Sequence, residues 1–171
     1  MDMKGQVITE EKAYAKMTRL CARKECAPFD IVGKLSRMGL SGPVINRIID
    51  RLEKEKYIDE RRFIRSFIHD KLHFNKWGKR KITLSLRQKQ FSQKLIDELF
   101  MEFSDTSFGE SLQPILEKKW KSVTGKSDYE KRGKLIRYAL GRGFSMEEIL
   151  AGIERLGMEE ITRGKMTNET E

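Results

Sequence analysis

The feature that most constrains this chain is an apolar pattern that recurs three times without gaps. Each copy has an apolar segment, a triplet that ends in serine, and a second apolar segment. The triplets are Gly39-Leu40-Ser41, Gln90-Phe91-Ser92 and Gly143-Phe144-Ser145, so successive copies are offset by 51 and 53 residues. A period of this size is typical of repeat arrays, in which each copy is one small supersecondary unit.

The residues around the triplets keep the spacing of a helix. The positions eight and four residues before the triplet, and four after its serine, are apolar in every copy: Ile31, Ile82 and Leu135; Leu35, Leu86 and Ala139; Ile45, Ile96 and Ile149. Spacings of four and eight residues favour helices that bury one face, and no stretch alternates as a strand would.

The triplet itself predicts a tight turn between two helices. Glycine at its first position ends a helix cheaply in the left-handed conformation. The serine oxygen then caps the first amides of the next helix. Gln90 stands where the other copies have glycine, so the middle turn is expected to be strained or differently shaped.

A third helix is predicted before each pair, at Thr9 to Glu25, Asp59 to Phe74 and Phe108 to Val123. The turn-like sequences 104–107 and 124–127 flank the last of these helices. We therefore predict an all-α fold, an elongated tandem array of three three-helix repeats that resemble helix-turn-helix units. The repeats span residues 8–56, 57–104 and 105–157, followed by a flexible tail over 158–171.

Positive charge is concentrated in the middle repeat. The chain carries a formal charge of +9, yet the stretch from Arg61 to Lys94, called here the basic stretch, contains eleven Lys or Arg and one acid. The rest of the chain therefore sums to −1. The eleven cations are Arg61, Arg62, Arg65, Lys71, Lys76, Lys79, Arg80, Lys81, Arg87, Lys89 and Lys94.

A solvated helix face usually mixes both signs of charge. The basic stretch does not, which favours a surface that binds a polyanion or an acidic protein over one that only promotes solubility. Sequence leaves open whether phosphate or carboxylate is the partner group. Trp77, inside this stretch, could stack on a base or anchor the core between two helices, and its place before a helix favours the core.

No pattern indicates catalysis, a metal or a cofactor. His69 and His73 have metal-ligand spacing but lack further ligands nearby. Cys21 and Cys26 lack the CxxC spacing, so we expect reduced thiols. There is no apolar run long enough to span a membrane and no apolar leader at the start. We expect a cytoplasmic monomer that is not an enzyme.

Two motifs inside the middle repeat make the sequence similar to a known family. They are the residues 57–63, YIDERRF, and the residues 77–82, WGKRKI. Together with the threefold helical repeat they resemble the RecX family of bacterial regulators over about residues 8–157. Gln90 in place of glycine and a divergent third repeat are the departures from the family pattern.

The resemblance implies a regulator of the RecA recombinase. RecX-like proteins bind RecA and its filament on single-stranded DNA, lie in the helical groove, and inhibit filament extension, recombination and ATPase activity. The resemblance also allows direct contact with single- or double-stranded DNA. The alternative is a helical DNA-binding protein of the helix-turn-helix type that acts without RecA.

Overall fold

A computed structural model of the protein describes residues 6–157, and this part of the chain contains nine α-helices and no strand. The helices are α1 Glu10–Arg23, α2 Pro28–Arg37, α3 Gly42–Lys54, α4 Glu60–His73, α5 Lys79–Gln88, α6 Gln93–Phe100, α7 Asp105–Ser122, α8 Asp128–Gly141 and α9 Met146–Arg155. The predicted all-α fold of tandem three-helix repeats is confirmed. The repeat boundaries stay a prediction, and the predicted tail over 158–171 lies outside the described residues.

The turn at the triplet has one shape in all three repeats. Gly39, Gln90 and Gly143 have φ values of 80°, 65° and 96°. The amide of the next residue then donates back to a carbonyl of the preceding helix, at 3.4 Å, 3.3 Å and 3.3 Å respectively. Gln90 therefore takes the left-handed conformation that glycine takes elsewhere, and of the two expectations for the middle turn the strained one applies.

The predicted serine caps form in two of the three copies. Ser92 Oγ accepts from the Leu95 amide at 3.2 Å. Ser145 and Glu148 form the predicted capping box. The cap predicted at Ser41 is wrong, because its side chain accepts no bond from the next helix. Pro43 lies in the first turn of α3 and has no N–H, which removes one of the donors that a cap would satisfy.

The helix starts and buried positions follow the apolar pattern with two exceptions. All nine positions aligned before and after the triplets are buried. However, α7 begins at Asp105, so the turn predicted over 104–107 is wrong beyond the N-cap Ser104. The spacing of three and four residues that Phe67 shares with Ile64, Ile68 and Leu72 predicts one buried face on α4, yet Phe67 is only half-buried whereas the other three are fully buried.

The chain folds into two compact units. The first comprises the described part of Met1–Ser66 together with Leu86–Leu99. Its core gathers apolar side chains of α1, α2 and α3 around Met17, Ile31 and Leu52. The start of α4 packs in the same unit, where the Phe63 ring stacks on Phe91 with centroids 5.5 Å apart.

The second unit comprises Phe67–Ser85 and the described part of Phe100–Glu171. Its core is built from α7, α8 and α9 around Leu116, Leu135 and Phe144. The buried Ser111 hydroxyl donates to the Leu72 carbonyl at 2.9 Å, which ties α7 to the end of α4. Over residues 6–157, none of the helices is both long and apolar enough to cross a bilayer.

Candidate functional site

The basic stretch begins on α4, whose buried side chains decide where its cations lie. The Asp59 carboxylate caps the helix by accepting from the Arg62 amide at 2.9 Å. Burial of Ile64, Ile68 and Leu72 commits one face of α4 to the core. The charged heads must then reach water along the other faces, because an isolated buried charge is costly.

Within the first unit, carboxylates form ion pairs with Arg61, Arg62 and Lys89 of the basic stretch. Arg61 contacts Glu98 at 2.7 Å, Arg62 contacts Glu25 at 2.6 Å, and Lys89 contacts Asp30 at 2.6 Å. These carboxylates balance part of the charge that the sequence concentrates in this stretch.

Arg62 is the most engaged of the three paired cations. Besides its bond to Glu25, its guanidinium donates to the carbonyls of Lys56 at 3.1 Å and Tyr57 at 3.2 Å. Lys56 lies two residues after α3 and has a φ of 59°, in the left-handed region. The Arg62 side chain therefore fastens the link between the first two repeats, a structural role that sequence analysis did not separate from partner binding.

The other first-unit cations of the basic stretch are Arg65, Arg87 and Lys94, and all three are exposed. Arg87 and Lys94 form no ion pair within residues 6–157. The positive charges of Arg87 and Lys94 are therefore available to a partner.

In the second unit, two lysines lie close to the ring of Trp77. The ammonium nitrogens of Lys71 and Lys81 are 4.8 Å and 4.5 Å from the ring centroid, within the range of cation–π contact. Trp77 is half-buried, so it is neither a fully buried core anchor nor a freely exposed stacking ring. Lys79 and Arg80, at the start of α5, are exposed.

The turn that precedes α5 is held against the turn between α8 and α9. The Gly78 amide donates to the Arg142 carbonyl at 2.8 Å, and the Arg80 amide donates to the Gly143 carbonyl at 3.1 Å. The Arg142 guanidinium donates in return to the carbonyls of Asn75 and of Lys76, the latter at 3.1 Å.

This contact explains the glycine that follows Trp77. A Cβ on Gly78 would lie closer than 3.0 Å to backbone atoms of Gly143 and Phe144. Arg142 was not among the predicted site residues, because its only signal in the sequence is its position directly before the glycine of the third triplet.

His69 and His73 lie side by side on α4. Their rings are 4.6 Å apart, and His69 Nδ1 lies 3.2 Å from a carboxylate oxygen of Asp70. No group of three or more possible ligands occurs in the part of the chain that the structure describes.

Comparison with known proteins places these features in a family. Residues 59–99 match the sequence model described as RecX, second three-helix domain, and residues 110–151 match RecX, third three-helix domain. The first match covers the whole basic stretch.

The chain belongs to the RecX family. The regulatory protein RecX of Clostridium tetani (strain Massachusetts / E88) is 29% identical over 157 residues, which cover 88% of this chain and 72% of that protein. The regulatory protein RecX of Chlorobium phaeobacteroides (strain BS1) is 28% identical over 147 residues, covering 86% and 95%. These relatives are named as regulatory proteins.

Solved structures support the same fold. The crystal structure of a regulatory protein RecX superposes with a TM-score of 0.78 at 20% identity, covering 85% of this chain and 73% of that one. The crystal structure of RecX from Lactobacillus salivarius superposes with a TM-score of 0.76 at 19% identity, covering 87% and 97%. At these identities the likeness concerns the fold alone.

Proposed function

We propose that this RecX-family chain regulates the RecA recombinase. It binds RecA and the RecA filament on single-stranded DNA, in the helical groove, and so inhibits filament extension, recombination and ATP hydrolysis. It acts by binding and carries out no chemical step of its own. The observation that carries this proposal is the pair of family matches, on the second and the third repeat, in a chain whose relatives are named regulatory proteins.

The exposed cations supply the physical means of binding. Arg80 in the second unit, and Arg87 and Lys94 in the first, are exposed and form no ion pair within residues 6–157. Charges of this kind accelerate encounter with an oppositely charged surface and are screened by salt. We propose that they meet acidic RecA side chains or DNA phosphates, and that the paired Arg61, Arg62 and Lys89 contribute less.

The test compares charge reversals in each unit with matched controls. Arg80→Glu is paired with Lys121→Glu in the second unit, and Lys94→Glu with Lys16→Glu in the first; all four side chains are exposed. Binding of the whole chain to RecA-coated single-stranded DNA, and to the same naked strand, is measured by fluorescence anisotropy.

We expect each site variant to bind the RecA-coated strand about five- to tenfold more weakly, and each control to stay within about twofold of wild type. Equal losses in site variants and controls would mean that only net charge matters. Tighter binding to the naked strand than to the RecA-coated one would favour the helical DNA-binding alternative. That result would come with a steep loss of affinity as salt increases.

A further inference from the structure

A second cationic site lies in the second unit, and it shares only Lys76 with the basic stretch. A cavity of about 520 Å³ opens between α7 and α8, beside the turn that follows α4. Its cations are Lys76, Lys118, Lys119 and Arg142. No carboxylate lines it, although Asp and Glu make up 26 of the 171 residues of the chain. This lining favours an anion over a cation as a ligand.

The C-terminal ends of α7 and α8 border the same cavity and oppose an anion. Each helix end contributes about half a negative charge, so the two together amount to about one. Four full positive charges outweigh that contribution. The Arg142 and Val123 amides also bond back to carbonyls of the last turns, which leaves fewer carbonyls directed at a ligand.

Two of the four cations are already fixed in place. Two N–H groups of the Arg142 guanidinium are bonded to the carbonyls of Asn75 and Lys76, and a guanidinium carries five. The ammonium of Lys119 lies 4.6 Å from the centroid of the Tyr138 ring. Side chains held in this way lose little conformational freedom when a ligand binds, so the site is partly preorganised.

The remaining lining distinguishes among anions. Tyr138, Ile115 and Pro114 present an aromatic ring and apolar surface beside the cations. A small inorganic anion would leave this surface unused, whereas a nucleotide has a base and a sugar to place against it. The volume also lies in the usual range of small-ligand pockets.

We propose that this cavity binds a nucleoside phosphate, either free or as one unit of a single strand. The phosphate lies against Arg142, Lys76 and Lys118, and the base lies against the Tyr138 side of the pocket. Of the lining residues only Lys76 belongs to the basic stretch, and the proposal does not depend on RecA.

The test is a titration of the ¹⁵N-labelled full chain with thymidine 5′-monophosphate, followed by amide chemical shifts. We expect a dissociation constant of about 0.1–1 mM, as for a few charge contacts in a partly open site. Shifts should cluster around Lys118, Lys119 and Arg142. Thymidine without phosphate should bind at least about tenfold more weakly.

Two variants of α7 provide the matched pair. Lys118→Glu and Lys121→Glu make the same charge change on exposed positions of one helix, but only Lys118 lines the cavity. We expect Lys118→Glu to weaken monophosphate binding about fivefold or more and Lys121→Glu to leave it within about twofold. Tyr138→Leu should weaken the nucleotide and leave inorganic phosphate unchanged.

The remaining ligands decide among the sources of the anion. If a ten-residue thymidine strand shifts the same amides with higher affinity, and Lys118→Glu weakens it, the bound unit belongs to a strand. If only the monophosphate does so, the ligand is a free nucleotide. Binding of inorganic phosphate equal to that of the monophosphate, preferential binding of hexaglutamate, or no shifts at the cavity would each overturn the proposal.

Discussion

Replacement of Gly78 by alanine tests the contact between the turn before α5 and the turn after α8. The added Cβ would lie closer than 3.0 Å to the backbone of Gly143 and Phe144, where ordinary contact needs about 3.5 Å or more. Backbone cannot swing aside as the end of a side chain can. The two turns would therefore have to separate by about 1 Å.

That separation has an energetic cost that the geometry allows us to estimate. It would stretch the hydrogen bond from Gly78 to Arg142, now 2.8 Å, and the one from Arg80 to Gly143, now 3.1 Å, beyond useful length. Each lost bond costs about 0.5–1.5 kcal/mol, and overpacking adds about 1–3 kcal/mol. We expect Gly78→Ala to lower the free energy of unfolding by about 2–6 kcal/mol, a large share of typical domain stability.

The assay is urea unfolding followed by tryptophan fluorescence and by circular dichroism. Both tryptophans, Trp77 and Trp120, lie in the second unit, so fluorescence reports that unit while dichroism reports all the helices. The control is Gly141→Ala, because a Cβ there meets nothing within 4 Å and alanine favours the helix. A loss under about 1 kcal/mol at Gly78, or equal changes in both variants, would refute this account.

Three further predictions concern stability. Gln90→Gly should raise the free energy of unfolding by about 1 kcal/mol, because it relieves a left-handed non-glycine residue; an unchanged urea midpoint would contradict this. Arg62→Ala should cost about 1–3 kcal/mol in the same assay, since it leaves Glu25 and two carbonyls without their donor, whereas Arg87→Ala should stay within about 0.5 kcal/mol. Burial, followed by the hydrogen bond to the Glu55 carboxylate, raises the pKa of Tyr14 from 10.0 to about 12. The stability gained from protonated Tyr14 should be complete below pH 10 and lost as pH rises through about 12. Its upper limit is about 3 kcal/mol, reduced by screening at the partly exposed Glu55. Stability of Tyr14→Phe should therefore fall less steeply over that interval, and identical alkaline profiles would show that the shift is absent.

The fold was predictable from the sequence because the residues that determine each helix and turn are close together in the chain. The apolar spacing around each triplet, and a glycine or serine at each turn, determine where helices end and which face they bury. The pattern was weak where a residue serves two purposes: Pro43 starts α3 without a serine cap, and Phe67 sits at the margin of the buried face of α4.

The electrostatic partners were not predictable in the same way. The two members of each ion pair are far apart in the sequence, by 37 residues for Arg61 and Glu98, 37 for Arg62 and Glu25, and 59 for Lys89 and Asp30. No local sequence pattern therefore predicts these pairs. The eleven cations look alike in sequence, and only the fold distinguishes Arg61, Arg62 and Lys89, which form ion pairs inside the first unit, from Arg87 and Lys94, which form none within residues 6–157.

The cavity between α7 and α8 could not be predicted from the sequence for a related reason. Lys76 and Arg142 are 66 residues apart, and the bond between them joins a turn of the second repeat to a turn of the third. The third repeat, residues 105–157, has ten Lys or Arg and eight Asp or Glu, so its net charge of +2 does not stand out as that of the basic stretch does. The packing of α7 against α8, together with the bond from Arg142 to the Lys76 carbonyl, brings the cations together.

The central claim is that this RecX-family chain regulates RecA filaments. Its most direct test is the hydrolysis of ATP by RecA on single-stranded DNA while the wild-type chain is titrated in. We predict suppression at well below one copy per RecA, because a protein that blocks extension needs to act only at a few points along a filament. Unchanged hydrolysis up to a molar excess, with the chain still bound to naked DNA, would contradict the account.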